Sequence, residues 1–240
     1  MASRGSVADA TGRLKQRASR RRRQQLVGLA WLLGVVVLLS GLAYLFFASP
    51  AFVPRQVRVD GVSLLTVDQV RAKAAVPRMP LARIDTGQIA ERVATMPEVG
   101  SVRVRVRYPS TVVIEVVERT PVVQRLEGSS FQWVDAEGVV FHSRTARLPN
   151  VVAVKTPSVD TRLLKDAGVV ARSLTPQLKK RVVRIEADTP DAFTLVLDKN
   201  QKVVWGSAAD SETKSQVATA LLTVKATVYD VSSPSTPTSR

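Results

Sequence analysis

Residues 101–123 read SVRVRVRYPSTVVIEVVERTPVV, and their alternation decides the fold. Val102, Val104 and Val106 fall on one face of an extended chain and Arg103, Arg105 and Arg107 on the other, the period of two of a half-buried strand. A second run, VVIEVVE, follows after Tyr108, Pro109, Ser110 and Thr111, so the two are expected to pair as a hairpin with one dry face and one charged, wet face. A row of arginines can serve nucleic acid, but a solvated sheet face is the plainer account and needs no ligand. The valine face needs a cover.

The cover lies upstream. Val57 and Val59 alternate with Arg58 and Asp60 before Gly61, which predicts a short strand ending in a turn. Thr66 and Gln69 stand three apart as a capping box, after which Val67, Val70 and Ala74 recur at helical spacing until Pro77. Ile89, Val93 and Met96 place one apolar stripe on a second helix, closed by Pro97. Residues 52–119 are therefore expected to form a β-α-α-β-β domain.

Further upstream, LVGLAWLLGVVVLLSGLAYLFFA, residues 26–48, holds no charged side chain. As a helix it is about 34 Å long, enough to cross a bilayer with some tilt. Trp31 near one end and Tyr44, Phe46 and Phe47 near the other suit interfacial anchoring. Before it lie Arg4, Arg13, Lys15, Arg17 and the run Arg20, Arg21, Arg22 and Arg23, opposed only by Asp9. The positive-inside rule then makes residues 1–25 a cytoplasmic basic tail, and places everything after the span outside. A cleaved signal peptide would carry a shorter apolar core. The formal charge of +15 thus owes much to topology.

Downstream, residues 120–232 are expected to form a second, strand-rich domain with helices. FQWV and VVFH flank Asp135, Ala136, Glu137 and Gly138, a hairpin whose glycine can take a positive φ. A helix from about Asp160 to Leu174 sets Leu163, Leu164, Ala167 and Ala171 on one face. RVVRIEA, AFTLVLD and KVVWG read as strands, with a turn at Lys199 and Asn200. A further helix from about Asp210 is expected to bring Val217, Leu221 and Val224 to one face, and Thr227 to Ser232 to form a last strand. Ser233 to Arg240 is rich in Ser, Thr and Pro and predicts a flexible tail. A last strand beside such a tail is a plausible sheet edge, open to extension by a partner segment.

The order of these elements resembles the FtsQ/DivIB cell-division proteins. FVPRQVRVDGVSLLT, the helix pair, and the aromatic-Pro turn at Tyr108 and Pro109 leading to Glu118, Arg119, Thr120 and Pro121 look like their POTRA domain. Trp133, Val134, Asp135, Gly138 and Phe141, then Leu148 and Pro149, continue the likeness. The resemblance implies an α+β protein: an N-terminal transmembrane helix, a POTRA domain and a C-terminal mixed β-sheet domain. It implies a bacterial single-pass membrane protein of the division septum, N-terminus cytoplasmic, that recruits FtsB (DivIC) and FtsL partners and regulates septal peptidoglycan synthesis. It also implies POTRA contacts with other division proteins. The positions matching the partner-binding strand are Val228, Tyr229, Asp230, Val231 and Ser232, with two readings open for Tyr229: the anchor for a partner, or a side chain packed against its own sheet.

Catalysis finds little support in the residues. The chain has no cysteine and one histidine, His142, so neither a thiol nucleophile nor a conventional zinc site is expected. Asp135 and Glu137 sit in turn chemistry, and no phosphate-cradling glycine loop or G-x-S-x-G elbow is present. No cofactor, small-molecule substrate or nucleic acid is expected. The alternative is a POTRA-bearing polypeptide-transport or chaperoning component of the cell envelope, which would be expected to continue into a membrane β-barrel.

Overall fold

A computed structural model describes residues 6–240, with side chains from Leu26 onward. Arg4 lies outside the described residues. The first element, α1 (Ser6–Ala48), is longer than the apolar run alone. Its Arg-, Lys-, Gln- and Ala-rich first half consists mostly of strong helix formers, so the basic segment continues the helix of the span. From Leu26 to Ala48 every side chain is exposed, which distinguishes this segment from the core helix of a soluble domain. It is the membrane anchor.

Then come β1 (Gln56–Asp60), α2 (Val67–Ala74), α3 (Thr86–Ala94), β2 (Val99–Arg107) and β3 (Thr111–Glu118), with sheet order β1-β3-β2. The capping box is present: Thr66 N donates to Gln69 Oε1 at 2.8 Å and Gln69 N to Thr66 Oγ1 at 3.2 Å. Val70 and Ala74 of α2 and Ile89 and Val93 of α3 are buried. Along β2, Val104 is buried and Val102 and Val106 half-buried, whereas Arg103, Arg105 and Arg107 are exposed.

The chain divides into two compact units. The first joins the stretch up to Arg58 with Ala75–Gly87 and Val104–Val113. In it the Phe46, Phe52 and Tyr108 rings cluster, with centroids 5.3 Å apart for Phe46 and Tyr108 and 6.0 Å for Phe52 and Tyr108. Arg55 N donates to Ser110 O at 2.8 Å, holding the entry segment to the turn after β2.

The second unit comprises Val59–Ala74, Gln88–Arg103 and Ile114–Arg240. Its larger part is a sheet built from β4 (Val123–Glu127), β5 (Ser130–Val134), β6 (Val140–Arg144), β7 (Val152–Lys155), β8 (Val182–Ala187), β9 (Phe193–Leu197), β10 (Lys202–Gly206), β11 (Val228–Asp230) and β12 (Thr238–Ser239). Their order is β12-β11-β10-β9-β8-β7-β4-β5-β6. Helices α4 (Thr161–Ser173), α5 (Pro176–Arg181) and α6 (Ser211–Leu221) pack on and beside it. Leu163, Leu164, Leu178, Ile185, Phe193, Leu195 and Trp205 are almost wholly buried, each worth about 1.5–3 kcal/mol or more in transfer from water.

Three expectations need correction here. The wholly buried residues of α6 are Ser211, Lys214, Ser215 and Ala218; Val217 and Leu221 are half-buried and pack against the core as expected, whereas Val224 lies beyond the helix and is exposed. The polar stripe can be buried because its groups find backbone and side-chain partners: Lys214 Nζ donates to Ser207 O at 2.9 Å, Trp205 Nε1 to Ser211 Oγ at 3.1 Å, and Thr175 N to Ser215 Oγ at 2.8 Å. The last long strand is shorter than Thr227–Ser232, covering Val228–Asp230. Residues 233–240 do not hang free, since Thr238 and Ser239 form β12.

Candidate functional site

Residues Val228 to Ser232 lie at one end of the large sheet. β11 runs parallel to β10, with Lys202, Val203 and Val204 facing Val228, Tyr229 and Asp230, and Val231 N donates to Val204 O at 2.9 Å. Parallel pairing follows from α6, which crosses between the two strands.

The strand's side chains divide by face. Tyr229 and Val231 are fully buried in the core, Val228 and Asp230 are half-buried, and Ser232 is exposed. The Tyr229 hydroxyl donates to Val224 O at 2.7 Å and accepts from Gln201 Nε2 at 3.0 Å. Gln201 Nε2 also donates to Ala226 O at 2.7 Å, and its Oε1 accepts from Arg181. Tyr229 therefore anchors its own domain, and what the strand offers outward is backbone together with the Val228, Asp230 and Ser232 side chains. Asp230 Oδ1 accepts from Ser232 N at 2.9 Å and from Ser232 Oγ at 2.7 Å, which turns the chain out of the sheet.

On its outer side β11 pairs with β12 antiparallel, with Tyr229 opposite Ser239 and Asp230 opposite Thr238. Sequence reasoning missed this strand, because Ser, Thr and Pro give no periodic apolar signal.

A second constellation holds the start of the sheet domain to the preceding strand. Glu118, at the end of β3, accepts from the backbone N–H groups of Ser63 at 3.0 Å, Leu64 at 2.9 Å and Leu65 at 2.8 Å. Burial is the largest single influence on this carboxyl and pushes its pKa up, but the Leu65, Leu64 and Ser63 donors together outweigh it and hold the group below the usual glutamate value. Arg119 Nε donates to Pro97 O at 3.1 Å, and its guanidinium pairs with Asp135. Asp135 Oδ1 in turn accepts from Glu137 N at 3.0 Å and Val139 N at 2.8 Å, the turn role expected of it. His142 packs on Trp133 at 4.9 Å between centroids, with Nδ1 3.6 Å from Glu98 Oε1.

A single apolar helix, a β-α-α-β-β module and a large mixed sheet make this a membrane-anchored α+β protein. The model of the POTRA domain, FtsQ-type, matches residues 52–119, and that of the cell division protein FtsQ/DivIB C-terminal domain matches residues 123–232. The cell division protein FtsQ of Mycobacteroides abscessus is 34% identical over 99% of this chain and 78% of its own length. That of Mycolicibacterium smegmatis is 37% identical over 88% of the chain and 64% of its own, and that of Streptomyces venezuelae 36% identical over 86% and 81%. The chain belongs to the FtsQ/DivIB family of cell-division proteins.

Proposed function

We propose that this chain is a scaffold of the division machinery rather than a catalyst, and that its sheet end at β11 captures FtsB/DivIC-like and FtsL-like partners by strand addition. The observation that supports this most is the division of labour along Val228, Tyr229, Asp230, Val231 and Ser232. Two side chains root the strand in the core, and the remaining residues turn backbone and polar groups outward. An edge of this kind recognises an extended segment through its N–H and C=O groups, with alternate side chains giving selectivity.

The tail and span set the rest of the arrangement. Arginines and lysine before Leu26 keep the N-terminus in the cytoplasm, so the POTRA module, residues 52–119, and the sheet domain, residues 120–232, face outward. There they link division proteins at the septum, the POTRA module contacting others of them, and so transmit a signal to septal peptidoglycan synthesis. Among the described residues no group of three or more His, Asp or Glu side chains is placed to hold a metal ion, and the single histidine is engaged with Trp133 and Glu98.

The test is capture of the extracytoplasmic region of the FtsB/DivIC-like partner by the full chain in nanodiscs. Val228→Pro removes the N–H that β11 turns to its outer side, which donates to Arg240 O; introduced into a chain lacking residues 233–240, so that only the partner loses this bond, it should weaken capture about tenfold. Unchanged affinity would move the site elsewhere. A fluorescent fusion that stays evenly spread over the membrane of dividing cells would count against the septal role.

A further inference from the structure

The groups that a partner strand would need at β11 are already in use. Val228 N donates to Arg240 O at 2.9 Å and Arg240 N to Val228 O at 3.0 Å, the reciprocal exchange of a hydrogen-bonded antiparallel pair. Thr227 N and Thr227 Oγ1 donate to the same Arg240 oxygen at 2.9 and 3.1 Å. By the alternation of such ladders, Asp230 and Thr238, two residues along, form the next pair of this kind. Two strands cannot hold one set of N–H and C=O groups.

We infer that residues 233–240 are a built-in competitor: at rest they occupy the β11 edge, and a partner strand enters by displacing them. This inference rests on the strand-addition reading and adds its regulation.

The attachment is of a kind that can be exchanged. Thr238, Ser239 and Arg240 are exposed, none of residues 233–240 is buried, and none belongs to the hydrophobic core. Arg240 and Thr238 turn their N–H and C=O groups toward β11, and Thr236, next in that alternation, spends its N–H on Ser233 O, so the internal ladder ends at Thr238 and covers only Thr238, Ser239 and Arg240. A turn closed by Thr236 N donating to Ser233 O at 3.0 Å lies between the strands. β11 is held differently, since Tyr229 and Val231 are rooted in the core and Val231 N is bonded to β10. Peeling off residues 233–240 therefore leaves the edge standing. The resting occupant also defines its replacement: an antiparallel, extended segment, longer than the stretch Thr238 to Arg240 and without proline opposite Val228 or Asp230, so that it gains bonds the internal strand lacks.

Two variants test this in the full-length, nanodisc-embedded protein, with the extracytoplasmic region of the FtsB/DivIC-like partner as probe. A chain lacking residues 233–240 should bind roughly tenfold tighter, the factor expected when nine-tenths of the resting population is self-occupied. In Asp230→Cys/Thr238→Cys, a facing pair suits a disulfide, and the chain has no other cysteine to interfere. Its oxidised form should lose the partner and regain it on reduction. Equal affinity for full and shortened chains, or equal binding by the oxidised and reduced pair, overturns the competitor while leaving strand addition intact. Absence of binding in every form, including the shortened and the reduced, overturns strand addition itself and the competitor with it.

Discussion

The Arg119 guanidinium is shared between the Pro97 carbonyl oxygen and the Asp135 carboxylate, so a residue just after β3 fixes the turn between β5 and β6. Asp135 is almost wholly buried and already accepts two backbone N–H groups, so Arg119 supplies its compensating charge. Arg119→Ala would leave that carboxylate buried with hydrogen bonds but no counter-charge, at an expected cost of about 2–4 kcal/mol. Arg119→Lys should recover only part of this, because a single ammonium cannot reproduce the forked geometry. Thermal unfolding of the full chain in detergent, followed by circular dichroism, checks both.

Glu118 predicts an acid-sensitive joint. Its folded-state pKa is lowered, so its contribution to stability is fully present above the unfolded glutamate value of about 4.3 and is lost as pH falls through the folded value. Glu118→Gln should lower stability at neutral pH by about 1–3 kcal/mol, since it replaces a charged acceptor of three backbone N–H groups. The two stability curves should run parallel above the unfolded glutamate value of about 4.3 and converge only as pH falls below it. Curves that stay parallel as pH falls on through the acid range would show that the carboxylate's charge contributes nothing there.

How far the sequence could be read depended on whether side-chain polarity and burial agreed. They agree in β2, where valine and arginine alternate, and in the Thr66–Gln69 box, where the hydrogen-bonding groups are local. They disagree on α6, whose buried stripe carries Ser211, Lys214 and Ser215, because the partners that make this tolerable come from Ser207, Ala208, Thr175 and Trp205, off the helix. The candidate edge was placed by strand order and resemblance, but nothing local to Tyr229 reveals that Gln201 and Val224 satisfy its hydroxyl. Residues 233–240 were opaque for the opposite reason: backbone pairing alone positions them, and backbone pairing leaves no mark on composition.

Gly138 gives a sharper test of the β5–β6 turn. Its φ is +83°, and an added methyl would collide with the Thr161 carbonyl oxygen and crowd Lys165 N at 2.8 Å. Strain and overlap act together there, so Gly138→Ala should cost about 2–4 kcal/mol. Gly128→Ala, also at positive φ but with open space around its Cβ, should cost only about 1 kcal/mol. Similar losses at the two sites would mean that the first turn of α4 moves aside freely.

Tyr229 separates a core role from an anchor role at the edge. The side chain is fully buried, with its hydroxyl between Val224 O and Gln201 Nε2. Tyr229→Phe removes the donor to Val224 O and one partner of Gln201, at an expected cost of about 1–2 kcal/mol. Tyr229→Ala also empties a large core site and should cost about 3–5 kcal/mol. If the strand acts on partners through its backbone, Tyr229→Phe should leave their affinity within about twofold, under 0.5 kcal/mol, because it moves no outward group. A tenfold loss of affinity in this variant, with the fold intact by circular dichroism, would instead assign the tyrosine hydroxyl to the partner and require the strand to turn its core face outward on binding.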